Sequence, residues 1–146
     1  MQDPFNLNRF IEAQDSSFNN AIRELRAGRK SSHWSWFVLP QIIGLGSSAM
    51  SIKYALSGLD EAKAYLNHPI LGARLKETIT TLLFHEGTNA SHILGDVDAK
   101  KLQSCLTIFN LVSNHEDLFQ KALDKYFDGK HDANTLDIVA KLSNGD

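Results

Sequence analysis

Glycine and proline punctuation is the feature that most limits what this chain can fold into. Breaks stand at Gly28, Ser57-Gly58, Pro69, Gly87, Gly95 and Gly129. Between them apolar residues recur at helical spacing, and no segment alternates convincingly as a half-buried strand would. The reading is an all-α chain: a single compact multihelical domain over residues 1–146, with six or more helices and little or no strand. A chain of 146 residues suits one domain. At that length it buries enough apolar surface to fold without a disulfide or metal.

The segments follow in order. Leu7, Phe10, Ile11, Phe18, Ala21, Ile22 and Leu25 keep a helical period, with Asp3-Pro4 as an entry signal. Asp15-Ser16-Ser17 offers a cap for a second helix, so this stretch reads as either one helix or two. Residues 33–46 lack a clean period and read as irregular, with one short helical turn. Ser47 or Ser48 caps a helix running to about Leu56, and Asp60 and Glu61 open a short one to Leu66. Pro69 starts a helix with the stripe Leu71, Leu75, Ile79, Leu82 and Leu83, ended by Gly87. A short turn spans 89–94. Asp96 caps a helix whose inner face is Leu102, Cys105, Leu106, Phe109 and Val112. Asn114 starts another, with Leu118, Phe119, Ala122, Leu123 and Tyr126 inside. A last helix covers Thr135 to Leu142.

Composition narrows the function classes. The formal net charge of −2 argues against long double-stranded nucleic acid as a partner, which calls for a basic excess. No stretch approaches the ~20 apolar residues of a membrane span. The first residues lack the basic and apolar regions of a signal peptide, and one cysteine excludes an intrachain disulfide. The expectation is a cytoplasmic protein away from membranes. His85 and His92 straddle Gly87 rather than share a helix face, and there is no H-x-x-x-H or C-x-x-C pair. No metal or cofactor is expected. Cys105 sits among apolar positions and reads as a core thiol.

Chemistry concentrates in Ser32-His33-Trp34-Ser35-Trp36-Phe37-Val38-Leu39-Pro40-Gln41, followed by Gly44-Leu45-Gly46-Ser47-Ser48. Trp34 and Trp36 lie two apart in irregular backbone, so their rings point in different directions. One packs inside, and the other lines a pocket and stacks on a base. His33 is a donor or acid-base candidate, although taken alone it equally reads as a histidine bonded to a backbone carbonyl. Gln41 offers an amide to a base edge. The Gly44, Gly46 and Ser47 backbone with Lys30 forms a candidate phosphate cradle, although no strand precedes it and the dinucleotide fingerprint is absent. Asp98, Lys101 and Ser104 share one helix face. On that face Asp98 is a candidate carboxylate, and an ordinary surface ion pair is the competing reading.

Asp3-Pro4-Phe5, Arg9-Phe10, Glu24-Leu25-x-x-Gly28, Lys30 and His33-Trp34-x-Trp36-Phe37-x-x-Pro40-Gln41 together resemble a bacterial family, domain of unknown function 1810. Gly44-Leu45-Gly46, Glu61-Ala62-x-Ala64-Tyr65-Leu66-x-His68-Pro69, Arg74-Leu75 and Asp98-x-x-Lys101-Leu102 extend the resemblance along almost the whole chain, as do Thr107 and Leu123-x-x-Tyr126-Phe127. Ser35 and Leu39 depart from it, where methionine and an aromatic are common. The resemblance implies a small helical domain and hands over no activity. The calpastatin label its members often carry implies disordered inhibitory regions, whereas this composition is globular.

A more distant likeness is to the NADAR superfamily, associated with ADP-ribose derivatives and N-glycosidic cleavage. It is carried by the aromatic segment, a helix with Tyr54 and a late helix with Lys101. Two functions follow from these readings. One is a pocket for a nucleotide or ADP-ribose-type small molecule, with hydrolysis of an N-glycosidic bond. Its catalytic candidates are Asp98, His33 and Lys101, and its ligand contacts are Lys30, Trp34, Trp36, Gln41, Gly44, Gly46, Ser47 and Tyr54. The other is a non-catalytic helical module that docks a protein partner through His33-Trp34-x-Trp36. Whether these residues converge on one concave pocket separates the two. The sequence leaves the oligomeric state open.

Overall fold

A computed structural model describes residues 3–113 and 117–143. Ten helices account for its regular structure: α1 (Asn8–Asp15), α2 (Phe18–Arg26), α3 (Ser35–Val38), α4 (Ala49–Lys53), α5 (Leu59–Asn67), α6 (Pro69–Leu83), α7 (Ala90–Leu94), α8 (Asp96–Val112), α9 (Leu118–Phe127) and α10 (Ala133–Ser143). Among the described residues there is no strand, and one isolated parallel bridge joins Ile42 to Leu56. Among the described residues no helix is long and apolar enough to cross a membrane.

Local chemistry explains most boundaries. The Asp3 carboxylate accepts from the Leu7 and Asn8 amides at 2.8 and 3.0 Å, which holds the entry to α1. Ser48 caps α4 by accepting from the Ser51 amide, and Asn89 caps α7 by accepting from the His92 amide. Pro69 occupies the first turn of α6, and the preceding His68 ring nitrogen accepts from the Ile70 and Leu71 amides. Gly28, Gly87, Gly95 and Gly129 all take positive φ.

Several boundaries differ from expectation. α4 ends at Lys53 rather than near Leu56, because the chain turns there to pair Leu56 with Gln41 and Ile43. α6 ends at Leu83, four residues short of Gly87. The 89–94 turn is a helix. α10 starts earlier than Thr135, at Ala133. The expected start at Asn114 lies outside the described residues, and α9 opens at Leu118 after Asp117.

α8 is the central helix, packed against α5, α7, α9 and α10, and α6 lies against α1, α2, α3, α5 and α9. Leu102, Cys105, Leu106, Phe109 and Val112 are buried as the spacing predicts, but so are Ser104, Thr107 and Ile108. The inner face is therefore wider than one stripe and buries Ser104 through Phe109 without a break, because four helices pack against α8, while Leu111 stays exposed. Leu118 and Leu83 are half-buried rather than buried and pack on the core's edge. Burial pushes the Cys105 thiol up, so it remains a protonated core group.

Candidate functional site

The chain between α2 and α3 is irregular but tightly held. Glu24 projects from the buried face of α2 and gathers four donors: the Ser31 amide at 2.7 Å, the Ser32 amide at 2.9 Å, the Ser32 hydroxyl, and Trp34 Nε1 at 3.0 Å. The Lys30 amide donates to the Ile93 carbonyl at 2.7 Å, which ties this loop to α7. Burial works against the Glu24 carboxylate, but the donations from Ser32, Ser31 and Trp34 outweigh it and hold its pKa at about 2.

The consequence for acid stability has a definite sign. A folded pKa below the unfolded value of 4.5 gives stability that is complete above that value and lost as pH falls toward 2. Glu24→Gln is expected to cost about 1–3 kcal/mol at neutral pH, since the amide replaces charge-assisted bonds with weaker ones. It should also flatten the acid limb of a urea-unfolding series. An unchanged acid limb in the variant would show that the loop is held by something else.

The pinned loop presents Lys30, His33, Ser35 and Trp36 toward the first turn of α8. These residues and Leu94, Gly95, Asp96, Val97, Asp98 and Lys101 line an open cleft of about 360 Å³. Asp98 is its electrostatic centre. Lys30 Nζ lies 2.8 Å from one carboxylate oxygen and Lys101 Nζ 3.2 Å from the other. The Lys30 side chain is 7% exposed and that of Lys101 17%. Burial works against the Asp98 charge, but Lys30, the Ser35 hydroxyl and Lys101 keep its pKa below the ordinary carboxylate value.

Each ammonium also faces an indole. Lys30 Nζ is 5.0 Å from the Trp34 ring centroid and Lys101 Nζ is 4.5 Å from that of Trp36. The two tryptophans divide as their spacing predicts. Trp34 is 1% exposed and belongs to the core, where its only polar atom is taken by Glu24. It has no face left for a base. Trp36 is half-buried and forms the cleft wall, with the exposed His33 ring 6.4 Å away, centroid to centroid.

The remaining candidates gather elsewhere. Gln41, Gly44, Gly46 and Tyr54 line a second, narrower cavity whose other wall is again Trp36. Lys30 and Gly46 therefore lie in different pockets, and Ser47 lines neither. Lys30 and the Gly46-Ser47 backbone, expected to form one cradle, therefore do not line a common cavity. α4 is also only five residues long, and the Ser48 side chain already takes its Ser51 amide. No group of His, Cys, Asp or Glu among the described residues forms a metal cluster.

Glu24 and Ser35 belong to the site and escape a motif search. The signal for Glu24 was available, since it stands three residues after Ala21 on the apolar face that also carries Leu25. A carboxylate on such a face requires donors.

A family model described as "Protein of unknown function (DUF1810)" matches residues 4–139. Among solved structures, the chain is similar to the crystal structure of the conserved hypothetical protein Rv1873 from Mycobacterium tuberculosis. The two are 42% identical with a TM-score of 0.93, over 94% of this chain and 99% of that one. No match is found among curated proteins.

Proposed function

Starting from a chain that belongs to the DUF1810 family, described as being of unknown function, we propose that it binds a nucleotide or ADP-ribose-type ligand and hydrolyses its N-glycosidic bond. One observation carries the reading. Lys30 and His33 from the α2–α3 loop and Trp36 from α3 meet Asp98 and Lys101 from α8 around a single concave cleft. Two nearly buried ammonium groups beside an aromatic wall suit an anionic group joined to a planar one.

The chemistry divides among these residues. Lys30 and Lys101 receive the phosphate, and Trp36 contacts the base. A bound phosphate competes with Asp98 for the two ammonium groups, and the carboxylate it releases faces the sugar. Asp98 is held in its charged form, so it acts by stabilising positive charge on the anomeric carbon rather than by donating a proton. Water adds its oxygen to that carbon as the carbon–nitrogen bond breaks. His33 at the cleft rim gives the leaving base its proton and recovers one from the attacking water. The distant likeness to NADAR proteins points the same way.

The protein-docking alternative has less behind it, because half of its aromatic patch, Trp34, is core. It becomes the better reading if no nucleotide binds.

The test is a thermal-shift and calorimetric titration with ADP-ribose, followed by an assay of base release from N-glycosides of ADP-ribose. At 100 times its Kd a ligand stabilises the protein by about 2.7 kcal/mol. Asp98→Asn is expected to keep ADP-ribose binding and lose turnover. Full activity in that variant would remove Asp98 from the mechanism, and no ADP-ribose binding by the wild type would discard the proposal.

A further inference from the structure

The second cavity has its own unsatisfied chemistry. It is a slot of about 20 Å³ between Trp36, Gln41, Gly44, Gly46 and Tyr54. That volume admits one water-sized group or the edge of a planar ring. Tyr54 is only 7% exposed, with Phe10 and Phe37 against its ring at centroid distances of 5.7 and 5.3 Å. Its hydroxyl has no hydrogen-bond partner among the described residues and keeps some exposure, and Tyr54 is one of the residues that line the slot.

The chain has three tyrosines, and the other two are satisfied. The Tyr65 hydroxyl meets Gln14 and the Phe37 carbonyl, and that of Tyr126 donates to the Leu82 carbonyl. A tyrosine this deeply buried ordinarily finds a partner. Gln41, which is half-buried, offers a second open polar group. Its backbone carbonyl accepts from the Leu56 amide at 2.8 Å, while its carboxamide has no protein partner among the described residues.

We propose that this slot binds the amide edge, a carboxamide or lactam, of the heterocycle whose phosphate end occupies the neighbouring cleft. The proposal rests on the nucleotide reading of that cleft, with Trp36 as the wall common to both. The Gln41 carboxamide supplies a donor and an acceptor, and the Tyr54 hydroxyl supplies either. Together they match an amide's C=O and N–H. No charged side chain lines the slot, so a carboxylate there would be desolvated without compensation. An apolar edge would leave both polar groups unpaired.

The probe is nicotinamide, titrated into the full ¹⁵N-labelled chain, with pyridine and nicotinate as controls. Nicotinamide is expected to bind in the millimolar range and to shift the Gln41 side-chain amide and the Trp36 indole N–H resonances. Nicotinate should bind about tenfold more weakly, as should nicotinamide to Tyr54→Phe, each having lost one hydrogen bond, and pyridine, which loses both, about a hundredfold more weakly. The Tyr54→Phe melting temperature should stay at the wild-type value, because no intramolecular bond is removed. Equal shifts from pyridine, or undiminished binding by Tyr54→Phe, would overturn the proposal. ADP-ribose binding without any nicotinamide response overturns the slot and leaves the cleft standing. A nicotinamide response without ADP-ribose binding upholds the slot and discards the cleft reading.

Discussion

Phe109→Ala is expected to lower the unfolding free energy by about 3–5 kcal/mol. Phe109 is fully buried on α8, the helix around which the others gather. Its ring meets Tyr65 of α5 at 5.3 Å and Phe119 of α9 at 5.9 Å, and Tyr65 in turn meets Phe10 of α1 edge-on at 5.1 Å. Truncation leaves a ring-sized void at the junction of three helices, and such a junction cannot collapse without moving all of them. Against a typical domain stability of about 5–15 kcal/mol this is a large share. Urea unfolding measures it, and the melting temperature should fall by roughly 10 °C. A loss below about 1 kcal/mol would mean that the ring is not packed and that the α8 face is misassigned.

The helical segmentation was legible where capping and stop chemistry is local. Ser48, Pro69 and Gly95 act within one turn of where they stand in the sequence, whereas the stretch capped by Asn89 read as a turn and is α7. What was not legible depends on distant partners. Ser104 and Thr107 look like outer-face residues of α8. They are buried because Thr135 and the Asp132 amide reach across to them, each at 2.8 Å. Gly72 reads as an ordinary helix-interior glycine. A Cβ there would stand 2.1 Å from the Leu66 carbonyl oxygen, so close approach of α6 to the end of α5 requires it.

The site divides in the same way. Lys30, His33, Trp36, Asp98 and Lys101 were each legible by residue type. That Gly46 and Tyr54 line a different cavity from Lys30, with Trp36 common to both, is a matter of tertiary packing that no local pattern encodes. The choice of Trp34 over Trp36 for the core depends on Glu24, whose carboxylate claims the Trp34 indole from another helix.

Arg9→Met is expected to cost about as much as the loss of Phe109, by a different mechanism. A guanidinium carries five N–H donors, and every one of them is used here. Nε donates to the Lys53 carbonyl at 2.7 Å. Nη1 donates to the Phe5 and Asn6 carbonyls at 2.6 and 2.8 Å, and Nη2 to the Ala55 carbonyl and Glu61 at 2.9 and 2.8 Å. The Glu61 side chain is 4% exposed, and its other oxygen holds the Ser57 amide at 2.9 Å. Removing Arg9 strands that carboxylate without its counter-charge, a loss of about 3–5 kcal/mol for a buried pair. Arg9→Lys should recover little, because a single ammonium cannot span acceptors on α5, at the end of α4 and before α1. Adding Glu61→Gln to Arg9→Met should recover part of the loss, because no buried charge is then left unpaired. If Arg9→Lys unfolds within about 1 kcal/mol of wild type, the clamp is not the source of stability. The same clamp fixes Lys53 and Ala55, the residues on either side of Tyr54. Loosening it should therefore lower the melting temperature and weaken nicotinamide binding together. Tyr54→Phe should weaken binding alone.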